Sequence, residues 1–382
     1  MRLAILGSRG IPARYGGFET CAEQLALGLS RAGVDVTVYC EHGSARLPAE
    51  QTYHGARLTY IRALRAGPLS TLLFDLACWW DARRRFDVVY MLGYGAAVFV
   101  GFPKLWGTKV WVNVDGLEWR RSKWGWLARL WLRSMEYLAT RSADRIIADA
   151  SAIEMYIRSR YKKLPPISCI SYGANVQRLT PPSPTIREIP ISIGRYHLVV
   201  CRFEPENHLL EIVQGYLQSG SSFPLLLVGN HLGGGAYSQA VREAAMPYEG
   251  RSIHFLGAIY ESELLWSLRY HCCSYLHGHS VGGTNPSLLE SMACGTPIIA
   301  HDNVFNREVA GDRALFFSTT PDIPERIQVA ERLANTERNA LRLAFQNRVQ
   351  AHYSWEGVVT QYLALLRSIA TEARIAKATS QN

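Results

Sequence analysis

No Cys-x-x-Cys pair occurs in this chain; its eight cysteines are scattered, and only Cys272 and Cys273 are adjacent. That excludes a structural zinc signature and points to a reducing compartment. Long apolar runs are missing as well. The uncharged run Val88 to Pro103 contains Gly93, Gly95, Gly101 and Pro103 and falls short of the roughly 18 apolar residues of a membrane span. It reads instead as a buried strand and helix. Met1-Arg2 leads directly into an apolar strand, so no signal peptide is expected. Basic segments occur, but no nucleic-acid-binding motif accompanies them.

What the chain does have is length and an uneven charge. Its 382 residues, 48% hydrophobic and 19% charged, suit a soluble globular protein of two domains. Residues 1–180 carry 25 Lys+Arg against 14 Asp+Glu, a balance of +11, whereas the remainder carries 16 against 18. Eight of the ten tryptophans also lie in the first half. An anionic partner for that half alone would account for both biases.

Strand and helix patterns alternate throughout. Leu3–Leu6 is a strand, Phe18, Ala22, Leu25 and Leu29 recur at helical spacing, Gly33 stops the helix, and Val34–Tyr39 is the next strand. Further strands are expected at Val88–Leu92, Val110–Val114 and Ile146–Ala148. Leu179-Thr180-Pro181-Pro182-Ser183-Pro184 reads as a linker. Beyond it, strands at Leu198–Cys201, Leu225–Val228, Ile253–Leu256 and Pro297–Ala300 alternate with helices. Repeated βα units predict an α/β chain of two parallel-sheet, Rossmann-like domains, residues 1–180 and 181–356. A last helix at about 357–375 is expected to pack back on the first domain.

Each half holds a glycine-rich loop running into a helix. The first, Gly7-Ser8-Arg9-Gly10-Ile11-Pro12-Ala13-Arg14-Tyr15-Gly16-Gly17, follows the first strand; the second is His279-Ser280-Val281-Gly282-Gly283-Thr284-Asn285-Pro286. Such loops offer backbone N–H groups and a positive dipole end to an anion. One per half suggests a charged ligand held between two domains. The first loop lacks the spacing of a dinucleotide fingerprint, although Glu41 follows the second strand where a ribose-binding acid would stand. In the second, Asn285 is a good N-cap, Pro286 suits the first helical position, and Gly295 with Pro297 ends the helix. Glu290 then lies one turn inside a helix whose Leu288, Leu289 and Met292 argue for burial, so its carboxylate needs a partner, and ribose hydroxyls fit.

The stretch Gly282 to Pro297, with Leu289-Glu290-Ser291-Met292-Ala293-Cys294-Gly295-Thr296-Pro297, resembles the nucleotide-sugar signature of glycosyltransferase family 4. The segment Arg9–Thr20, with Asn113-Val114-Asp115-Gly116-Leu117-Glu118-Trp119-Arg120, resembles a bacterial branch containing rhamnosyltransferases of capsule, O-antigen and exopolysaccharide assembly. The resemblance spans Met1 to about Leu366. It implies the GT-B fold, two Rossmann-like domains facing across a cleft, and a retaining transfer without metal or other cofactor. It also implies a nucleotide-sugar donor held by the C-terminal domain, with dTDP-L-rhamnose favoured over a UDP-hexose or UDP-N-acetylhexosamine.

By the same resemblance Arg202 takes the diphosphate, Glu290 the ribose, and Gly16-Gly17 approaches the phosphates or sugar from the other domain. Two positions depart from the family pattern: Gly282 stands where a Glu is usual, eight residues before Glu290, and Asn207 where a Lys is usual, five after Arg202. Backbone amides of Gly283 and Thr284, with the side chains of Asn285 and Asn207, are the expected substitutes. Asp115 is either a catalytic-site polar residue or the start of an Asp-Gly turn. His277 and His279 stand beside the loop, as sugar or phosphate contacts or as core histidines.

The stretch Trp119 to Arg133 is basic and aromatic, with Trp124, Leu127, Trp131, Met135 and Leu138 expected near one helical face. A core helix gives the same pattern, but the cations Arg120, Arg121, Lys123, Arg129 and Arg133 favour a membrane-facing surface. Trp79-Trp80 before Arg83-Arg84-Arg85 repeats the theme. The expected acceptor is therefore a polyprenyl-diphosphate-linked sugar, met by a protein peripheral at the inner face of the cytoplasmic membrane. The competing class is a non-catalytic nucleotide-sugar-binding component of a polysaccharide complex, which would neither transfer nor hydrolyse a donor.

Overall fold

The computed structural model describes residues 1–379 except 14, 15, 43–50, 64–69, 115, 122, 123, 177–181, 231, 233 and 234. The chain forms two compact units: one holds residues 1–119, 124–172 and Trp355 onward, the other holds Arg120, Arg121 and Gly173–Ser354.

In the first unit eight strands form one sheet: β1 (Arg2–Leu6), β2 (Asp35–His42), β3 (Thr52–Tyr53), β4 (Ala56–Arg62), β5 (Val88–Leu92), β6 (Lys109–Val114), β7 (Arg145–Ala148) and β8 (Ile167–Cys169). Their order is β3-β4-β2-β1-β5-β6-β7-β8, parallel throughout except for the β3/β4 pair. β1 and β5 are central, and Leu3–Leu6 and Val88–Leu92 are fully buried, as strands covered on both faces must be. Helices α1 (Gly17–Arg31), α2 (Ser70–Ala82), α3 (Gly101–Lys104), α4 (Trp126–Ser142) and α5 (Ser151–Arg160) accompany them. α1 ends as expected, with Gly33 in left-handed backbone (φ 83°).

The second unit has six strands, β9 (His197–Val200), β10 (Leu225–Val228), β11 (Ile253–Gly257), β12 (Ser274–His277), β13 (Ile298–His301) and β14 (Leu315–Phe317). All are parallel, in the order β11-β10-β9-β12-β13-β14. Its helices are α6 (Leu209–Ser219), α7 (Ala236–Ala245), α8 (Ser262–His271), α9 (Pro286–Ala293), α10 (Val304–Ala310), α11 (Ile323–Arg332) and α12 (Asn335–His352). The core gathers Val199, Leu209, Ile212, Leu225, Leu227, Leu276, Ile299 and Phe317. The last helix, α13 (Trp355–Thr379), belongs to the first unit, where the Tyr362 and Tyr90 hydroxyls meet at 2.7 Å.

Both sheets reverse direction once. In the first unit the chain runs outward from β1 through β2 to β4, then returns to add β5 on the other side of β1; in the second it runs from β9 to β10 and β11, then adds β12 beside β9. In open α/β sheets ligands bind beyond the strands' carboxyl ends at such a reversal. In the second unit that point lies beyond Val200 and His277.

Candidate donor site

A pocket opens at that point, enclosing about 450 Å³ including its solvent-open mouth, and its walls include Arg202, Asn207, His277, His279, Asn285 and Ser287. Five of these were expected from the sequence to act together, and the fold brings them to one place.

Local chemistry positions each. α9 begins as its residues dictate: Asn285 Oδ1 accepts the Ser287 N–H at 2.9 Å, and Pro286 takes the first helical position. Ser287 then ties this helix start to both central strands, its hydroxyl meeting the Tyr275 hydroxyl at 2.7 Å and donating to the Val200 carbonyl at 3.2 Å. Gly282 has φ 131°, and Gly283 and Thr284 are buried in the approach to α9. Arg202 follows β9 with its side chain exposed and without a hydrogen-bonded or ion-paired side-chain partner among the described residues. An unneutralised guanidinium beside a helix N-terminus is a place for an anion.

The loop after β12 is stitched down on both sides. A Cβ at Gly278 would lie 1.9 Å from the Asn207 carbonyl oxygen, so only glycine allows this approach. Ser280 N–H donates to the Glu206 carbonyl at 2.9 Å, and the His279 carbonyl accepts from Asn303 Nδ2 at 3.1 Å and Asn306 Nδ2 at 2.9 Å. Asn207 spends both ends of its amide within the protein: Nδ2 donates to the Arg202 carbonyl at 2.8 Å, and Oδ1 lies 2.8 Å from His279 Nδ1.

Both pocket histidines are neutral. Burial, with His301 nearby, pushes the His277 pKa down to about 3. Burial also carries His279 well below the usual range, helped by His277, Arg121 and Arg202 and opposed by the Val281 backbone. Neither offers an imidazolium to a phosphate.

The other sequence-chosen residues fall elsewhere. Glu290 is not part of the pocket wall: its Oε2 is 2.7 Å from Nη2 of Arg269, on α8, and the arginine side chain is 3% exposed against 32% for the glutamate. The partner that burial demanded is thus present in the protein itself. Gly16 and Gly17 belong to the first unit, where extended Gly16 (φ −164°) precedes α1 and Glu19 Oε1 accepts the Arg9 N–H at 3.1 Å. Asp115 lies outside the described residues.

Along α4 the expected apolar face divides. Leu132, Met135, Glu136, Ala139 and Thr140 are buried, and Glu136 accepts from the Trp119 indole at 3.1 Å and the Tyr161 hydroxyl at 2.6 Å. Trp126 and Leu127 are 73% and 63% exposed, and Leu130 and Trp131 are also exposed. Trp124 is held by Glu118 at 3.1 Å. The charged collar also loses members, because Arg120 and Arg121 group with the second unit, Arg121 half-buried and 4.0 Å from Glu206. Trp79 is fully buried, while exposed Trp80 lies under the Arg83 guanidinium at 3.9 Å. Among the described residues no helix is long and apolar enough to cross a membrane.

Arg269, Ser287 and Gly278 escaped the sequence reading. Gly278 had a signal, a glycine between two histidines at a strand end; Arg269 had none, being one more charge on an amphipathic helix.

Comparisons with known proteins agree with the two-unit fold. Residues 1–175 match a domain of unknown function (DUF1972), and residues 215–364 match the family described as glycosyl transferase-like. No curated protein sequence matches. Sucrose-phosphate synthase from Thermosynechococcus elongatus is 20% identical, with 97% of this chain and 99% of that one covered at a TM-score of 0.79. HepE from Anabaena, solved with UDP and glucose, is 17% identical over 96% and 100% at a TM-score of 0.75. The trehalose-phosphate synthase of Burkholderia xenovorans, solved with glucose-6-phosphate, is 12% identical over 96% and 100% at a TM-score of 0.74. The fold is GT-B. Its two α/β units carry parallel sheets, as expected, and the second of these GT-B units bears the glycosyl transferase-like domain together with the pocket.

Proposed function

We propose that this protein is a retaining, metal-independent glycosyltransferase of bacterial surface-polysaccharide assembly, with the pocket of the second unit holding the diphosphate and sugar of its donor. One observation carries the reading: the exposed guanidinium of Arg202, unpaired among the described residues, and the N-terminus of α9 converge at the reversal point between β9 and β12. A departing nucleoside diphosphate gains negative charge, and a guanidinium with helix N–H groups stabilises it without a cation. The favoured donor is dTDP-L-rhamnose. The favoured acceptor is a polyprenyl-diphosphate-linked sugar, reached from the inner face of the cytoplasmic membrane through the exposed tryptophans of α4. The UDP-hexose alternative is favoured by one fact, that HepE was solved with UDP and glucose and with UDP-glucose.

A binding panel of dTDP-, UDP- and GDP-sugars tests the reading. Arg202→Ala is expected to weaken the bound donor roughly ten- to a hundredfold, the worth of one charge-assisted hydrogen bond. Transfer should survive EDTA. Binding of UDP-sugars with no binding of dTDP-L-rhamnose removes the rhamnosyl assignment, and unchanged affinity in Arg202→Ala removes the site.

A further inference from the structure

Among the described residues, His277 has the one buried side-chain polar atom of the pocket wall that the protein leaves without a hydrogen bond. It is 4% exposed, and its Nε2 is buried with no hydrogen-bond partner. Leaving a buried polar atom unsatisfied is costly, so such an atom in a pocket wall calls for a partner, and a ligand in the pocket would supply it. His279, whose ring centroid is 6.3 Å from that of His277, is fixed differently. The Arg202 carbonyl can only accept, so the Asn207 amide must turn its NH2 group toward it and its oxygen toward His279. Nδ1 of His279 therefore carries the proton, and Nε2 of the neutral ring is a lone-pair acceptor. That nitrogen faces the turn at Gly282, where a Cβ would come within 3.2 Å of it. A lone pair repels a phosphate oxygen and welcomes an O–H.

We propose that His277 and His279 read hydroxyl groups of the transferred sugar, with Asn207 as the positioning residue for His279, and that the diphosphate is left to Arg202 and the start of α9. The two departures from the family pattern then become one arrangement: Asn207 sets the histidine ring, and Gly282 keeps the space beside it open. This rests on the nucleotide-sugar reading above.

The test compares affinity for a nucleoside diphosphate alone with affinity for its sugar conjugate, using dTDP against dTDP-L-rhamnose and UDP against UDP-glucose. His277→Phe and His279→Phe keep a ring and lose both nitrogens. Each should bind the free diphosphate within about twofold of wild type yet lose about three- to tenfold in the gain that the sugar adds, the range of one neutral hydrogen bond. Asn207→Leu should lower the gain that the sugar adds as His279→Phe does, read as the ratio of conjugate to diphosphate affinity because the change also removes the donor to the Arg202 carbonyl. In the unmodified protein, deoxy-sugar conjugates lacking single hydroxyls should include one whose loss matches that of a histidine variant. The matching pair should not add when combined. Equal weakening of diphosphate and conjugate, or no deoxy analogue with reduced affinity, overturns the proposal and leaves the donor pocket standing. Failure of wild type to bind any of the four ligands overturns both.

Discussion

Arg269 and Glu290 show how a single side chain changes the meaning of its neighbour. From sequence, Glu290 is a carboxylate in search of a partner, and removing it should trim donor affinity alone. In the fold it neutralises a guanidinium that is 3% exposed. Truncating either member leaves the other uncompensated, and breaking a buried pair costs about 3–5 kcal/mol, less here because Glu290 is partly solvated. Arg269→Met and Glu290→Ala should therefore both lower the melting temperature, Arg269→Met by the smaller amount because the remaining carboxylate reaches water. Thermal melts read this directly, and an unshifted melt in Glu290→Ala would mean that the pair contributes nothing. Local grammar was readable at this scale: Asn285, Pro286 and Gly295 declare the limits of α9 through capping within a few residues. The pairs Arg269–Glu290 and Asn207–His279 were not, because they join positions 21 and 72 residues apart that meet only after the sheet has formed.

At the scale of elements, strands rich in Val, Leu and Ile were legible, and Val88–Leu92 and Leu225–Val228 fall where their apolar runs place them. β12 was not. Its residues, Ser274-Tyr275-Leu276-His277, look too polar for a buried strand, yet Tyr275 spends its hydroxyl on Val200 and Ser287, and His277 faces the pocket. Functional strands break the apolar rule for that reason. On α4 the sequence showed amphipathicity but not which residues water would see, since Glu136 is buried by hydrogen bonds that no periodicity reveals. The outward residues are Trp126, Leu127, Leu130 and Trp131. If this surface meets an anionic membrane, replacing all four with Ser should reduce co-sedimentation with anionic liposomes at least as much as Arg129→Gln with Arg133→Gln. Arg121→Gln, whose side chain sits against Glu206, should leave it unchanged. Equal sedimentation of the four-residue variant and wild type would remove α4 from the membrane reading. Basic residues near an anionic surface contribute about 1 kcal/mol each, so the association should release at high salt.

For the whole molecule, the chain's order and its spatial grouping differ, because α13 comes last yet belongs to the first unit. Val358, Tyr362 and Leu366 are buried there, and a Cβ on Gly28 would lie 2.4 Å from Val359 Cγ2, so α1 and α13 pack at glycine distance. Removing three buried side chains of about 1.5–3 kcal/mol each takes away an amount comparable to the stability of an average domain. A chain ending at Ser354 should therefore lose the first unit's structure. The second unit has its six strands, its core and every pocket residue between Gly173 and Ser354. Expressed alone, residues 173–354 should fold cooperatively and bind a free nucleoside diphosphate within about tenfold of the full chain, since Arg202 and α9 are both present. Calorimetry of the truncated chain should then show one transition, coinciding with that of the isolated fragment. A fragment that unfolds without cooperativity, or a truncated chain with both transitions intact, would show that the two units do not divide at Tyr172 and Ser354.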